Sequence, residues 1–552
     1  MEKTTGSLRR FTEQYADRSY DILVIGGGIS GAAVAYEAAS RGYSVALVEK
    51  GDFGGGTSAA TSKLIHGGMR YLANREFGLV RECLRESRIL ENIAQNLVYP
   101  LPFLVPLYDD GYRTKWIIEP GMILYDILSF DKGFTWDRSK RLPGHRLLSR
   151  RKAVELEPLV GADNLTGAIR FHDCASLMPE RLTLAFIKSA AKHGADAANH
   201  ARVEDFVRDG DRVTGVVVRD LIDEKTLTLR GKLTINCGGP WADILLGIAR
   251  GEPGAQSIRR SEGIHLVTHR LTSQETTAVG GVTPTGRACN LIPWRGHTLI
   301  GTTDREYVGD PDAYRVTRQH IEDYISEVNA AFGDNLGLQY SDVLYAYGGL
   351  RPLIDDQTSD VRQTSRKYEI VDHEQEGLPG LITVEGGKYT TSRNLAENVL
   401  QMVDRNLGAR PSKSVTSRRH LAGCEIRDID AHVAEAKASY RDFPDHAVDY
   451  LARIYGTELS QVMEIARSDK QYAIALNSDG EMPAQALYAI RHEMAATLLD
   501  ILIRRTGIGT LGHPGDEALE RIAQVAAREL NWDRSRVDLE LERAHEALAV
   551  PK

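Results

Sequence analysis

The chain has few cysteines, no long apolar run and no excess of positive charge. Its five cysteines (Cys83, Cys174, Cys237, Cys289 and Cys424) are scattered, odd in number and form no CxxC. That excludes a disulfide framework and a zinc site, and fits buried, inert thiols in a reducing compartment. No window reaches the ~18 consecutive apolar residues that a membrane-spanning helix requires, so any membrane contact is expected to be peripheral. The first twenty residues, MEKTTGSLRRFTEQYADRSY, lack the apolar core of a secretory signal, which predicts a cytoplasmic location. A formal net charge of -8 argues against nucleic acid as a partner, because phosphate backbones recruit broadly basic surfaces. An anionic ligand would have to meet a local basic cluster. Internal repeats and low-complexity runs are absent.

What is present is length and apolar residue. A chain of 552 residues, 42% of them hydrophobic, is too long for one ordinary domain and predicts two or three units with real cores. Residues 20–50, YDILVIGGGISGAAVAYEAASRGYSVALVEK, read as strand, glycine turn, alanine-rich helix and second strand, a βαβ unit. Residues 181–236 give a helix and then strands, with a turn at Asp209-Gly210-Asp211, and are expected to return to the first sheet. GIHLVTH, HTLIGTTD and KYEIVD, within 258–385, predict a second sheet that forms a substrate layer. From about residue 415, AVDYLARIYG, QALYAIRHEMAATLLDILIRRTG and DEALERIAQVAARELN are amphipathic and predict a helical C-terminal domain.

Gly26, Gly28 and Gly31 follow a strand and open a helix, and Glu49 ends the next strand, where a ribose ligand belongs. Gly26 permits the tight turn, Gly28 lets backbone approach a pyrophosphate, Gly31 lets helix pack on strand, and the helix N-terminus favours the anion. Glu49 would accept from ribose hydroxyls and repel a 2′-phosphate, which disfavours NADP. After it the chain runs through GDFGGGTSAATSKLIHGG, small residues and hydroxyls suited to wrapping a long cofactor. A second glycine pair, Gly386-Gly387, precedes a helix whose first hydroxyls are Thr390, Thr391 and Ser392. Two glycine-rich loops at opposite ends of one domain favour FAD.

The ordered motifs IGGGISGA, TSAATSKLIHGGMRYL, INCGGPWAD, LIPWRGHTLIGTTD, GGLRPL, TSRKYEI, GGKYTTSRNLAENV and RHEMAATLLDILIRRT span nearly the whole chain. In them the chain resembles the FAD-dependent glycerol-3-phosphate dehydrogenases of the aerobic respiratory type and their oxidase relatives. The resemblance implies an α/β fold: a Rossmann-type FAD-binding domain of the glutathione-reductase/amino-acid-oxidase type, an inserted antiparallel-sheet substrate domain and an α-helical C-terminal domain. The expected division is an FAD part near 18–100, 170–255 and 380–408, a substrate part near 101–169 and 256–379, and a helical domain over 415–552. It also implies oxidation of sn-glycerol 3-phosphate to dihydroxyacetone phosphate, with electrons leaving for quinone, or for oxygen in the oxidase branch.

Matching by position, Arg70, Tyr71, Arg351, Arg366 and Lys388 resemble the residues that family members turn toward the substrate. A phosphate monoester carries close to two negative charges and needs such a cluster in an acidic protein. Arg70, Arg366 and Lys388 are assigned to the phosphate, and Arg351 to the oxygen on the reacting carbon. Tyr71 is either a substrate contact or core packing. Loss of hydride from C2 needs a base for the hydroxyl proton. His265 of SEGIHLVTH is the candidate, as its residue type titrates near the working pH. Asp304 of GTTD would orient the base or bind cofactor. The same motifs imply cofactor contacts at Ser30, Thr57, Ser58 and Ser62, and at Lys63, Leu64, His66, Gly67 and Gly68. Further ones are Val203, Gly238, Gly239, Trp241, Tyr389 and Thr390, beside Gly387 and Lys388. No metal is expected, and His66 is read as a noncovalent neighbour of the cofactor.

The chain departs from the family before His265, where Glu262 and Ile264 stand in place of a lysine and a small polar residue. If they reshape the polyol end, a related substrate such as erythritol phosphate stays open. So does an amine or 2-hydroxy-acid oxidase whose substrate carboxylate meets Arg351, and a flavin-bound protein without catalysis. Residues 113–152 combine ten basic residues, Lys140 among them, with Trp116, Trp136, Phe130, Phe134 and the run GMILYDIL. This suits either an interfacial anchor on anionic lipid or a buried helix with a charged rim. With the respiratory resemblance it predicts peripheral attachment to the inner face of the cell membrane. The oligomeric state is left open between monomer and homo-oligomer.

Overall fold

The computed structural model describes residues 8–11, 18–109, 115–161, 164–252, 254, 258–283, 286–354 and 367–552. Arg366 lies outside the described residues, and Arg70 is described in its backbone alone.

β1 (Ser19–Ile25) lies between β2 (Val45–Val48) and the strand Thr226–Asn236, parallel to both. These strands read as unbroken apolar runs because helices cover them, as parallel sheets require. Helix α1 (Ile29–Ser40) packs with Pro179–Lys192 and Ser392–Asn406 in one core. The sheet runs Tyr368–Asp372, Leu381–Gly386, Thr226–Asn236, β1, β2, Asp196–Ala198, and the hairpin Ala201–Asp209/Arg212–Asp220 joins at Thr226–Asn236. From β1 the chain crosses to one side, and the later strands pair on the other. The crevice at the carboxyl end of β1 is therefore the switch point where such sheets take ligands.

One expected strand changes sheets. KYEIVD was assigned to the substrate layer, yet Tyr368–Asp372 pairs antiparallel with Leu381–Gly386 in the first sheet. The link between them is short and contains the turn His373–Glu376, and sequential strands joined this way pair with each other. The boundary near residue 170 shifts too, because Leu165–Ser176 lies wholly in the second sheet.

That ten-stranded sheet is antiparallel except where Ala278–Val282 runs parallel to Val98–Tyr108. Arg259–His269 is one of its central strands, flanked by His297–Gly301 and Val343–Leu353. Alternation sends Ser261, Gly263 and His265 to one face and Glu262, Ile264 and Leu266 to the other. Ile264 and Leu266 join the core beneath helix Arg318–Phe332.

Past residue 428 the chain is helical: Ile429–Ser439, Asp445–Tyr455, Leu459–Ser468, Pro483–Glu493, Asp516–Leu530 and Arg534–Leu548. QALYAIRHEMAATLLDILIRRTG, expected as one amphipathic stretch, is broken. Helix Pro483–Glu493 stops at Met494 (φ +59°), and a π-helical turn, Asp500–Arg505, follows. The Asp500 carboxylate accepts from Ala496 and Thr497 N–H and starts the new turn, which the apolar period cannot reveal. All five cysteines are buried, unpaired thiols.

No helix among the described residues is long and apolar enough to cross a membrane. Helix Lys115–Leu128 is two-faced instead. Met122 and Tyr125 enter the core, while Trp116 (84% exposed), Ile117, Ile123 and Ile127 (62%) face out. Phe130 and Phe134 extend that patch. Lys140, counted with its basic rim, is buried and donates to Gln95 and Val98 carbonyls.

Candidate active site

A cavity of about 1480 Å³ lies between the two sheets, larger than a pocket for one small ligand. At its nucleotide end the wall is nearly bare backbone. Gly26 sits at φ +102°, where a Cβ would lie 2.5 Å from the Cys237 carbonyl oxygen. Gly28 and Ser30 line the cavity at the start of α1, and Gly31 lies beneath them. A Cβ on Gly31 would be 1.9 Å from Gly26 O, so its glycine serves helix-on-strand packing.

Glu49 is turned into this end. Its carboxylate accepts from Gly27 N–H (2.6 Å) and Gly51 N–H (2.8 Å), and burial holds its pKa above the usual carboxylate range. Ser58 Oγ accepts from Ile29 N–H, and Thr57 donates to Leu350 O. Val203, Gly238, Gly239 and Trp241 continue the wall, and Lys50 sits 4.0 Å over the Trp241 ring. The N-cap of α1 is Gly28, which offers no side-chain acceptor, and the first turn holds no acidic residue. A backbone cradle, the N-terminus of a helix and a carboxylate at ribose position form a donor and acceptor set that fits a dinucleotide. Leu64, His66 and Gly68 line the far end with Gly387, Tyr389 and Thr390, and helix Ser392–Asn406 starts just beyond, as its hydroxyls foretold.

That far end gathers His265, Arg351 and Lys388. His265 is buried, with its Nε2 2.9 Å from Ser62 Oγ and its ring stacked on Tyr347 at 4.9 Å. Burial, then the charges of Arg351 and Lys63, hold its pKa well below the usual histidine value. Its residue type suggests titration near the working pH; in place, the ring is a neutral base throughout that range.

Arg351 reaches the same wall across Gly263. Its guanidinium donates to Thr302 Oγ1 (2.8 Å) and Thr303 O (3.1 Å), and Asp304 lies 3.5 Å from Nη1. Asp304 also accepts from Ser261 Oγ, so it orients the arginine and not the histidine. Lys388 Nζ stands 3.6 Å over the Tyr71 ring, and a Cβ on Gly68 would strike that ring at 2.4 Å. Tyr71 is thus both buried packing and cavity wall.

Two expected cofactor residues lie elsewhere. Lys63 stands between wall residues Ser62 and Leu64 and points the other way, pairing with buried Glu180 at 3.2 Å with Trp294 beneath it. Gly67 is one layer behind the wall, and a Cβ there would be 2.2 Å from Tyr125 Oη. Glu262 and Ile264 do not line the cavity, so they do not shape its wall.

Sequence reasoning missed Asp173, a buried cavity carboxyl that accepts from Gly67 N–H and Tyr125 Oη–H, both at 3.0 Å. Burial pushes its pKa up to about 7. Alternation along FHDCAS was the available signal. Also missed was the reach of the helical domain, whose Asp500, Arg504 and Arg543 line the nucleotide end.

The family model for FAD-dependent oxidoreductases matches residues 21–393, and the model for the C-terminal domain of alpha-glycerophosphate oxidase matches residues 414–537. A glycerol-3-phosphate dehydrogenase from Synechocystis sp. is 33% identical over 98% of both chains. The aerobic glycerol-3-phosphate dehydrogenase of Bacillus subtilis is 32% identical over 90% of this chain and 89% of its own. Among solved structures, the glycerol-3-phosphate dehydrogenase from Bacillus halodurans, complexed with FAD, superposes with a TM-score of 0.77 at 28% identity, covering 97% of this chain and 95% of that one.

Proposed function

The chain belongs to the FAD-dependent oxidoreductases, and from that premise we propose that it oxidises sn-glycerol 3-phosphate to dihydroxyacetone phosphate and passes the electrons to quinone. The observation that carries this reading is a buried histidine and a fixed arginine that line one cavity together with a lysine.

Gly26, Gly28, Glu49 and the start of α1 would hold the dinucleotide, and bound FAD supplies the two-electron acceptor for the hydrogen on C2. The remaining work is done by side chains of this chain. Lys388 supplies positive charge for the phosphate, with Arg70 and Arg366 proposed beside it. His265 takes the C2 hydroxyl proton, either through Ser62 at Nε2 or at Nδ1, and its depressed pKa keeps it ready to accept. Arg351, which lines the same cavity as His265, would lower the cost of the alkoxide that forms, in the manner of an oxyanion site. Its ties to Thr302, Thr303 and Asp304 aim it before substrate arrives.

Because Glu262 and Ile264 face away from the cavity, the motive for a longer polyol phosphate falls away. The outward face of Lys115–Leu128 supports peripheral attachment to a membrane, where a quinone is available. The experiment is an anaerobic titration of the purified protein that follows flavin absorbance. Bleaching by glycerol 3-phosphate but not by glycerol is the expected result; bleaching by neither, or by a 2-hydroxy acid or amine instead, would refute the reading.

A further inference from the structure

The loop after β2 contains four glycines within six residues, Gly51 and Gly54 to Gly56. Such a segment has much conformational freedom to lose, yet it forms the cavity wall between Glu49 and Thr57. Something must hold it. Asp52 is its one charged side chain, fully buried, and its carboxylate takes both Arg505 Nη atoms at 2.6 and 2.7 Å. Arg504 Nε adds a third donor at 2.8 Å and Asn199 Nδ2 a fourth at 2.8 Å.

The far side of the loop is tied to the same place. His200 N–H donates to Gly51 O, and His200 Nε2 lies 2.9 Å from Asp500, which also accepts from Arg504. Both arginines that bind Asp52 thus come from the short π-helical turn Asp500–Arg505 of the C-terminal domain. Arg505 is itself fixed, since its Nε donates to Glu493 O. Two arginines balance two aspartates in a buried setting, where loss of one partner leaves the other uncompensated.

We propose that the helical C-terminal domain locks the cofactor in its cavity, with Arg505 acting through Asp52 as the positioning residue that holds the loop Gly51–Gly56 closed on the nucleotide. Asp52, His200, Asp500 and Arg504 all line the Glu49 end of the cavity, so the lock and the wall share the same groups. This rests on FAD being the cofactor, and it assigns the C-terminal domain a binding role beyond capping the fold.

The test uses full-length holoenzyme and measures the rate of FAD release by the rise of flavin fluorescence, well below the melting temperature. Arg505→Lys keeps the charge and loses the fork; Asp52→Asn keeps the shape and loses the charge. Glu493→Gln is the control: its carboxylate joins the domains through Arg181 (2.6 Å) and Lys188 (3.1 Å) without touching the loop. We expect Arg505→Lys and Asp52→Asn to release FAD about tenfold faster than wild type, a loss of one strong contact. Glu493→Gln should lower the melting temperature while leaving release close to wild type. Equal acceleration in all three would reduce the network to general stability and overturn the proposal. So would unchanged release in the first two. Should Arg505→Lys fail to fold, Arg504→Gln on the same carboxylate takes its place, with faster release again expected and unchanged release again fatal. A wild type that carries no FAD removes the premise; a wild type that holds FAD yet ignores glycerol phosphate leaves the lock testable by itself.

Discussion

Gly263 passes so close under the guanidinium of Arg351 that a Cβ placed on it would sit 1.9 Å from Nη2 and 2.5 Å from Cζ. The bare strand is what gives the arginine its position. Gly263→Ala should therefore displace Arg351 and cut kcat/KM for glycerol 3-phosphate by roughly 10²- to 10³-fold, the range for losing one charge-stabilising donor. Bound FAD, read from the absorbance ratio, should stay at the wild-type level. Wild-type kcat/KM in this variant would show that Arg351 does not act on the substrate.

The buried His265 makes a pH prediction. Burial and the nearby cations hold its pKa well below 6.5, so the free enzyme carries a neutral ring at neutral pH. Since kcat/KM reports free-enzyme groups, its acid limb from this base should fall below pH 6.5. His265→Ala should lower kcat by roughly 10²- to 10⁴-fold, as for other general bases. A limb centred at or above 6.5 that vanishes in His265→Ala would contradict the buried geometry.

Asp173 gives a prediction of opposite sign to that of an ordinary carboxylate. Its folded pKa of about 7 lies above the ordinary aspartate value of 3.8. Stability from the neutral folded form is complete below the unfolded pKa and is lost as pH rises through the folded one. Asp173→Asn removes that loss, so its melting temperature should gain on wild type between pH 5 and pH 8. About 3 kcal/mol is the ceiling expected from the linkage over this window. A constant difference across the window would mean that Asp173 is ionised when folded.

The outward face of Lys115–Leu128 predicts a loss of function confined to membranes. Trp116 and Ile127 are among its most exposed apolar side chains. Trp116→Asp with Ile127→Asp should abolish sedimentation with anionic vesicles, because both apolar area and charge matching are lost. Reduction of a soluble dye by glycerol 3-phosphate should remain near wild type. Sedimentation as strong as that of wild type would assign the patch to another partner.

The nucleotide end was legible because its chemistry is local. Gly26, Gly28, Gly31 and Glu49 act within one βαβ unit, and turn, helix and strand are all set by near neighbours. His265, Arg351 and Lys388 could be named one by one, since each sits in a compact motif. How they meet could not be read. Arg351 is aimed by Thr302 and Asp304, and His265 is paired with Ser62, across turns that only the second sheet brings together. Lys63 was misplaced because its left-handed backbone (φ +57°), just before a two-residue strand, turns it away from its neighbours. Asp52 and Arg505, both ordinary charges in the sequence, join through a helix break that apolar periodicity conceals.

β1 carries the nucleotide fingerprint near one end of the chain, but it pairs with Thr226–Asn236, which pairs in turn with Leu381–Gly386. The arginine on Asp52 arrives later still. A ribosome thus releases the glycine turn long before anything that encloses it. Until residues 381–386 emerge, the nascent polypeptide has an unfinished central sheet with an open strand edge, the state that chaperones shelter. Translation that stops short of Arg505 should therefore yield colourless protein, and flavin should be captured only after the polypeptide is complete.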